Sequence, residues 1–180
     1  MRLFALCREL GIEEVSVYGF TKDNVRRPRD QVDAFKAACT EFAFRAAGSG
    51  AALLVVGDTR STSFPDALRP FARARTAGDI RVNFLVNYGW QWDLFTAFEE
   101  AAASGQATHA RMAAALGSAA VSRVDLVVRW GGRQRLSGFL PVQCAYADFY
   151  SIETLWPDFA PQEFLDALAW YQTQDVTLGG

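Results

Sequence analysis

The sequence predicts an α/β fold, with a mostly parallel central sheet flanked by helices. Two observations carry this. Short, nearly uninterrupted apolar runs, such as Leu53–Val56 and Asp125–Arg129, are the pattern of strands buried on both faces. Segments with helical spacing of apolar residues lie between them, the alternation that β-α-β units produce. No repeat or low-complexity tract interrupts it.

Taken in order, Arg2–Leu10 reads as a helix ended by Gly11, and Val15–Phe20 as a strand. Gln31–Ala47 is an amphipathic helix closed by Gly48, and Leu53–Val56 a buried strand leading to Gly57-Asp58. Pro65 starts a helix reaching about Arg75, Arg81–Val86 is a strand, and Asp93–Ala103 and Gln106–Leu116 are alanine-rich helices. Asp125–Arg129 is the fourth strand, a helix is expected after the turns that follow it, and Phe149–Ile152 is a short fifth strand. Pro161 opens the last helix, which ends before Gly179-Gly180. With 180 residues, half of them apolar, residues 1–180 predict one domain with a substantial core.

A net charge of -2 gives no reason to expect nucleic acid or an anionic membrane surface as partner. Cys7, Cys39 and Cys144 are odd in number and widely separated, so they read as reduced, buried thiols of a cytoplasmic protein rather than as zinc ligands. No apolar run approaches the roughly 20 residues that span a bilayer. The opening MRLFALCREL lacks a signal-peptide pattern, so membrane contact is expected only through a lipid substrate or product.

The stretch from Asp125 to Phe159 is the most informative. Its strand delivers Arg129 to the carboxyl end, where open α/β sheets bind ligands, and Arg135 follows six residues later. Gly131 and Gly132 between them permit a tight turn and close approach of backbone to a ligand, and Ser137 adds a hydroxyl. Arginine's planar fork of donors matches phosphate oxygens and stays charged at any working pH, so the stretch reads as a diphosphate pocket. The competing reading is that these arginines pair with surface carboxylates.

The same stretch resembles the signature of the cis-prenyltransferases, the undecaprenyl diphosphate synthase family: Arg-x-Gly-Gly-x-x-Arg-x-Ser at Arg129–Ser137, Ala-Tyr-Ala-acidic-Phe-Tyr at Ala145–Tyr150, and Leu-Trp-Pro-Asp-Phe at Leu155–Phe159. YGFTKDNVRRP at Tyr18–Pro28 and VNYG at Val86–Gly89 resemble two further blocks of that family, in order and at matching spacing. The resemblance implies a cis-prenyltransferase-like fold and the condensation of isopentenyl diphosphate with an allylic prenyl diphosphate to a polyprenyl diphosphate. Arg129, Arg135 and Ser137 would hold the diphosphate of isopentenyl diphosphate, Asp148 would be the acidic ligand of Mg2+, and Asn24 and Arg27 would position the reacting groups. On residue type alone the preferred reading of Asn24 is a turn residue before Pro28. Phe20, Leu85 and Val86 would line a tunnel for the prenyl tail, although an ordinary core explains them as well. Asp58 either faces the site or caps a turn, the cap being the preferred reading. The lone His109, the pair Glu99-Glu100 and the run Arg73, Arg75 read as solvated surface.

Several positions depart from the family pattern. Arg133 stands where the pattern has glutamate, which strengthens anion binding by this loop and weakens a metal role for it. Trp90-Gln91 replaces Gly-Arg, removing a cation and adding a bulky ring that would reshape the lipid channel. Val25 replaces tryptophan, and Thr177-Leu178-Gly179 replaces an Arg-x-Gly that reaches a dimer partner's phosphate site. The resemblance also implies a strand and an aspartate-bearing loop ahead of the first residue here, which would hold the allylic diphosphate and magnesium. One explanation is a start assigned too far downstream, and it is favoured because a helix interior makes a poor boundary. The other is a shortened member working beside a complete subunit, so the expected assembly is a homodimer or a heterodimer with such a subunit. The function expected is that of the enzyme; the alternatives are a non-catalytic partner subunit and a prenyl-diphosphate-binding protein without turnover.

Overall fold

The structure, a computed structural model, describes residues 2–105 and 108–174. The chain forms two compact units, one running to Val121 and the other from Ser122.

The first unit opens with helix α1 (Arg2–Glu9). Gly11 ends it at φ 71, with Gly11 N–H bonded to the Arg8 carbonyl and Ile12 N–H to the Cys7 carbonyl, a Schellman closure that needs a left-handed residue. Strands β1 (Glu14–Thr21), β2 (Ala51–Val56) and β3 (Ile80–Tyr88) form a parallel sheet in the order β1-β3-β2. As the central strand, β3 buries every side chain except Arg81. Leu53, Val82, Leu85 and Val86 are fully buried, each contributing about 1.5–3 kcal/mol.

Helix α2 (Arg29–Gly48) links β1 to β2 and packs on both. It starts two residues before the predicted Gln31, because the Pro28 carbonyl already accepts from Gln31 and Val32. It also runs through Gly48 rather than stopping there; the left-handed glycine is Gly50, at φ 82. After Pro65 the predicted single helix is a 3-10 turn (Asp66–Leu68) and a short helix α3 (Arg69–Arg73). The chain leaves α3 because Arg75 is drawn inward: its guanidinium donates to the Ala52 carbonyl at 3.0 Å and to Asn83 Oδ1 at 2.7 Å. Arg75 is therefore half-buried, a correction to its reading as a solvated residue; Arg73, Glu99, Glu100 and His109 are exposed as expected.

Helix α4 (Trp90–Ala103) begins three residues earlier than predicted, with Gly89 as its N-cap, so Trp90 and Gln91 lie in its first turn. Helix α5 is His109–Ala115, capped by Thr108, whose side chain accepts from Arg111 N–H. The expected start of that helix at Gln106 lies outside the described residues.

In the second unit, β4 (Leu126–Trp130) and β5 (Asp148–Ile152) pair in parallel and α6 (Pro161–Tyr171) packs on both. The helix expected between the two strands is absent among the described residues. Leu140 at φ 38 breaks the segment, and the Cys144-to-Leu140 and Ala147-to-Cys144 hydrogen bonds belong to successive turns. The expected end of the last helix before Gly179-Gly180 lies outside the described residues.

Candidate functional site

In the second unit, β4 carries Arg129 near its carboxyl end, and Gly131 (φ 90) and Gly132 (φ 64) then turn the chain. Their N–H groups donate to the carbonyls of Thr154 and Ile152, both at 2.9 Å. The glycines thus make the turn, but their amides are already committed, and an anion here has to be read by side chains. Gly132 favours glycine through its left-handed φ of 64; a Cβ there would also meet the end of the Glu153 side chain, which can swing aside.

Arg129 Nη1 donates to Ser137 Oγ at 3.0 Å and to the Arg135 carbonyl. These contacts tie the strand end to the far side of the turn and hold one face of the guanidinium fixed. Burial lowers the Arg129 pKa from its ordinary value, and the Arg135 and Arg133 guanidiniums lower it further. Arg133 and Arg135 are exposed, and none of the three makes an ion pair among the described residues, whereas Arg123, ahead of the amino end of β4, pairs with Asp125 at 3.1 Å. Among the described residues, pairing with surface carboxylates therefore does not describe this loop. Three mutually repelling cations favour an incoming polyanion, and arginine forks suit phosphate oxygens.

Asp148 opens β5 in register with Leu126, while Arg129 is in register with Ser151. The two are thus three residue pairs apart along the strands, about 10 Å. Among the described residues no group of three or more His, Cys, Asp or Glu stands ready to hold a metal. The half-buried Asp148 carboxylate has no side-chain partner among those residues. Asp148 would offer a magnesium ion one carboxylate, the hard oxygen donor which that cation takes.

In the first unit, parallel register brings the ends of β1, β2 and β3 to one edge of the sheet. Asn24 sits there in a 3-10 turn (Lys22–Arg26) and forms a reciprocal cap with Thr21. Its Oδ1 accepts from Thr21 N–H at 2.9 Å and Thr21 Oγ1 at 3.0 Å. With Oδ1 committed, the Asn24 amide nitrogen is the group that can donate outward. The exposed Arg27 lies over the Phe35 ring at 5.6 Å. Asp58 caps the turn that follows it through Arg60 N–H at 3.1 Å and also pairs with Lys22 Nζ at 2.6 Å. The cap was legible from a strand-end aspartate; the lysine, 36 residues away, was not.

Phe20, Leu85 and Val86 show no exposure and belong to the core of this unit. Asn87 is buried at φ 52, its Nδ2 donating to the Asp58 carbonyl at 3.1 Å, which locks the turn after β2 to the end of β3. A buried network missed in the sequence lies beside it: Asp93, 2% exposed, accepts from Tyr88 OH at 2.8 Å, Ser118 Oγ at 2.5 Å and Ser118 N–H at 3.0 Å. Its signal was a carboxylate in the first turn of α4, flanked by Trp92 and Leu94. Trp90 is 41% exposed and Val25 37% exposed. Thr177-Leu178-Gly179 lies outside the described residues.

Residues 1–179 match the family model described as undecaprenyl diphosphate synthase. A ditrans,polycis-undecaprenyl-diphosphate synthase from Pseudomonas putida is 32% identical over 191 residues, covering 97% of this chain and 75% of that protein. An isoprenyl transferase from Geobacillus kaustophilus is 30% identical over 196 residues, covering 99% and 76%. Among solved structures, a probable undecaprenyl diphosphate synthase from Campylobacter jejuni superposes with a TM-score of 0.85 at 24% identity, covering 99% of this chain and 89% of that one. Lavandulyl diphosphate synthase from Lavandula x intermedia, in complex with dimethylallyl diphosphate, gives 0.83 at 23%, covering 98% and 83%. At these identities the two structures show the fold.

Proposed function

The chain belongs to the undecaprenyl diphosphate synthase family and is a cis-prenyltransferase; on that premise we propose that it condenses isopentenyl diphosphate with an allylic prenyl diphosphate. The carrying observation is the arginine loop after β4, whose three guanidiniums have no carboxylate partner among the described residues.

Arg129, Arg135 and Ser137 hold the diphosphate of isopentenyl diphosphate, the substrate whose diphosphate stays attached. The allylic carbon–oxygen bond breaks, the alkene of the donor attacks that carbon, and loss of a proton leaves a longer allylic diphosphate with a cis double bond. Charge separates as the allylic diphosphate departs, so groups that stabilise the separated state more than the bound substrate speed the reaction. Asn24 donates from its amide nitrogen, and Arg27 supplies positive charge from the same turn region. Magnesium, when bound at Asp148, neutralises diphosphate charge.

The whole chain acts as one catalytic domain, a reading supported by a family match spanning both compact units. Three buried free thiols support a reducing, cytoplasmic setting, and no helix among the described residues is long and apolar enough to cross a membrane. Assembly as a homodimer or beside a complete subunit belongs to the same reading; large apolar side chains are exposed in both units, Phe95 and Phe98 in the first and Tyr146 and Leu155 in the second.

The test is a condensation assay with radiolabelled isopentenyl diphosphate, a panel of allylic diphosphates and magnesium, run on the chain alone and mixed with a complete family member. Polyprenyl diphosphate that disappears in Arg135→Gln is expected. Turnover unchanged by Arg129→Gln and Arg135→Gln would move donor binding away from this loop.

A further inference from the structure

We propose that Arg133 is a third diphosphate ligand of the arginine loop, and that with it the loop takes a diphosphate without a divalent cation. This rests on the reading of Arg129, Arg135 and Ser137 as a diphosphate site. Arg133 directly follows the left-handed pair Gly131 and Gly132, so the turn that presents Arg135 also presents Arg133. It is exposed and makes no ion pair among the described residues. Arg129 Nη1 donates across the turn to the Arg135 carbonyl and to Ser137 Oγ, so Arg133, between Gly132 and Arg135, lies inside the segment that those contacts close.

The nearby carboxylate is that of Glu153, which lies against Gly132 but forms no ion pair with any of the three. The loop therefore retains a positive excess. A divalent cation assists diphosphate binding mainly by neutralising oxygen charge, and three guanidiniums supply that neutralisation themselves. A carboxylate at position 133 would instead repel the diphosphate unless a metal stood between them. The residue at this position thus sets whether the anion enters free or as its magnesium complex.

The experiment is calorimetric titration of inorganic diphosphate into the full chain, in chelator and in magnesium at fixed ionic strength, for wild type, Arg133→Gln, Arg133→Glu and Arg135→Gln. Thermal unfolding of each variant accompanies it; because Arg133 is exposed, its variants are expected to fold as wild type does. Wild type is expected to bind in chelator, and Arg133→Gln to bind about tenfold more weakly, the loss of one charge-assisted contact. Arg133→Glu should bind more weakly still in chelator and recover when magnesium is added. The same ranking is expected with isopentenyl diphosphate, and a ranking confined to the free anion would overturn Arg133 as a substrate ligand. If both Arg133 variants bind like wild type in chelator while Arg135→Gln fails, this inference falls and the reading of the loop stands. If wild type does not bind, or Arg135→Gln binds as well as wild type, the reading of the loop falls and the inference with it.

Discussion

The hydroxyl of Ser137 accepts a 3.0 Å hydrogen bond from Nη1 of Arg129, eight residues earlier, while Ser137 itself holds a left-handed backbone at φ 51. A side chain and a backbone conformation that favours glycine are therefore both in use at one position. The two contributions separate by substitution.

Ser137→Ala keeps the Cβ and removes the acceptor. Loss of about 1 kcal/mol of hydrogen bonding should raise KM for isopentenyl diphosphate roughly fivefold with kcat little changed. Ser137→Gly should raise KM equally but unfold at a higher temperature than the alanine variant, because glycine adopts φ 51 without strain. A KM rise in neither variant would show that the hydroxyl does not position Arg129 for binding.

Asp93 gathers Tyr88 and Ser118 in a buried setting, so Asp93→Ala removes one acceptor from several donors at once. A loss of about 3 kcal/mol or more is expected by urea denaturation. Tyr88→Phe removes a single donor while Ser118 still satisfies the carboxylate, and should cost about 1 kcal/mol. Equal losses in the two variants would contradict the network.

Burial pushes the thiols of Cys7 and Cys144 up to about 11 and that of Cys39 up to about 12, from an ordinary 9.0. A raised pKa in the folded state means the folded protein holds its proton more tightly than the unfolded chain. Stability from these groups is therefore complete below pH 9 and declines as pH rises from there through 11 to 12. Chemical denaturation between pH 8 and 11 should show that decline, and thiol reagents at pH 8 should modify the protein only as fast as it opens. Rapid labelling of all three cysteines in the native state would contradict their burial.

Much of the first unit was legible because burial on both faces writes itself into a strand as an unbroken apolar run. Leu53–Val56 is such a run and lies within β2; Phe84–Val86 is the apolar part of the predicted Arg81–Val86, which lies within β3. The misread boundaries share a different cause. Arg75 looked like surface because arginine usually is; its burial depends on Asn83 and the Ala52 carbonyl, groups on other elements. The segment after Phe139 offers leucine, glutamine and alanine to a helix, yet Leu140 stands at φ 38 directly before Pro141, and successive turns carry the chain to β5 without one. Local propensity yields wherever a longer-range contact is worth more.

The same division runs through the candidate site. Spacing in one dimension carried the identity of the loop: Arg129, two glycines, Arg135 and Ser137 are close in the chain, and a turn can only bring them closer. By itself the sequence determined that arginines and a hydroxyl meet at the end of a parallel strand, because apolar runs and glycine turns are local properties. Only the tertiary structure decided that the glycine amides are already bonded to Ile152 and Thr154, that the arginines lack carboxylate partners among the described residues, and that Asp148 lies three residue pairs from Arg129. Those facts depend on pairing between segments distant in the chain, where hydrogen-bond register and charge neutralisation are set by neighbours that no local pattern names.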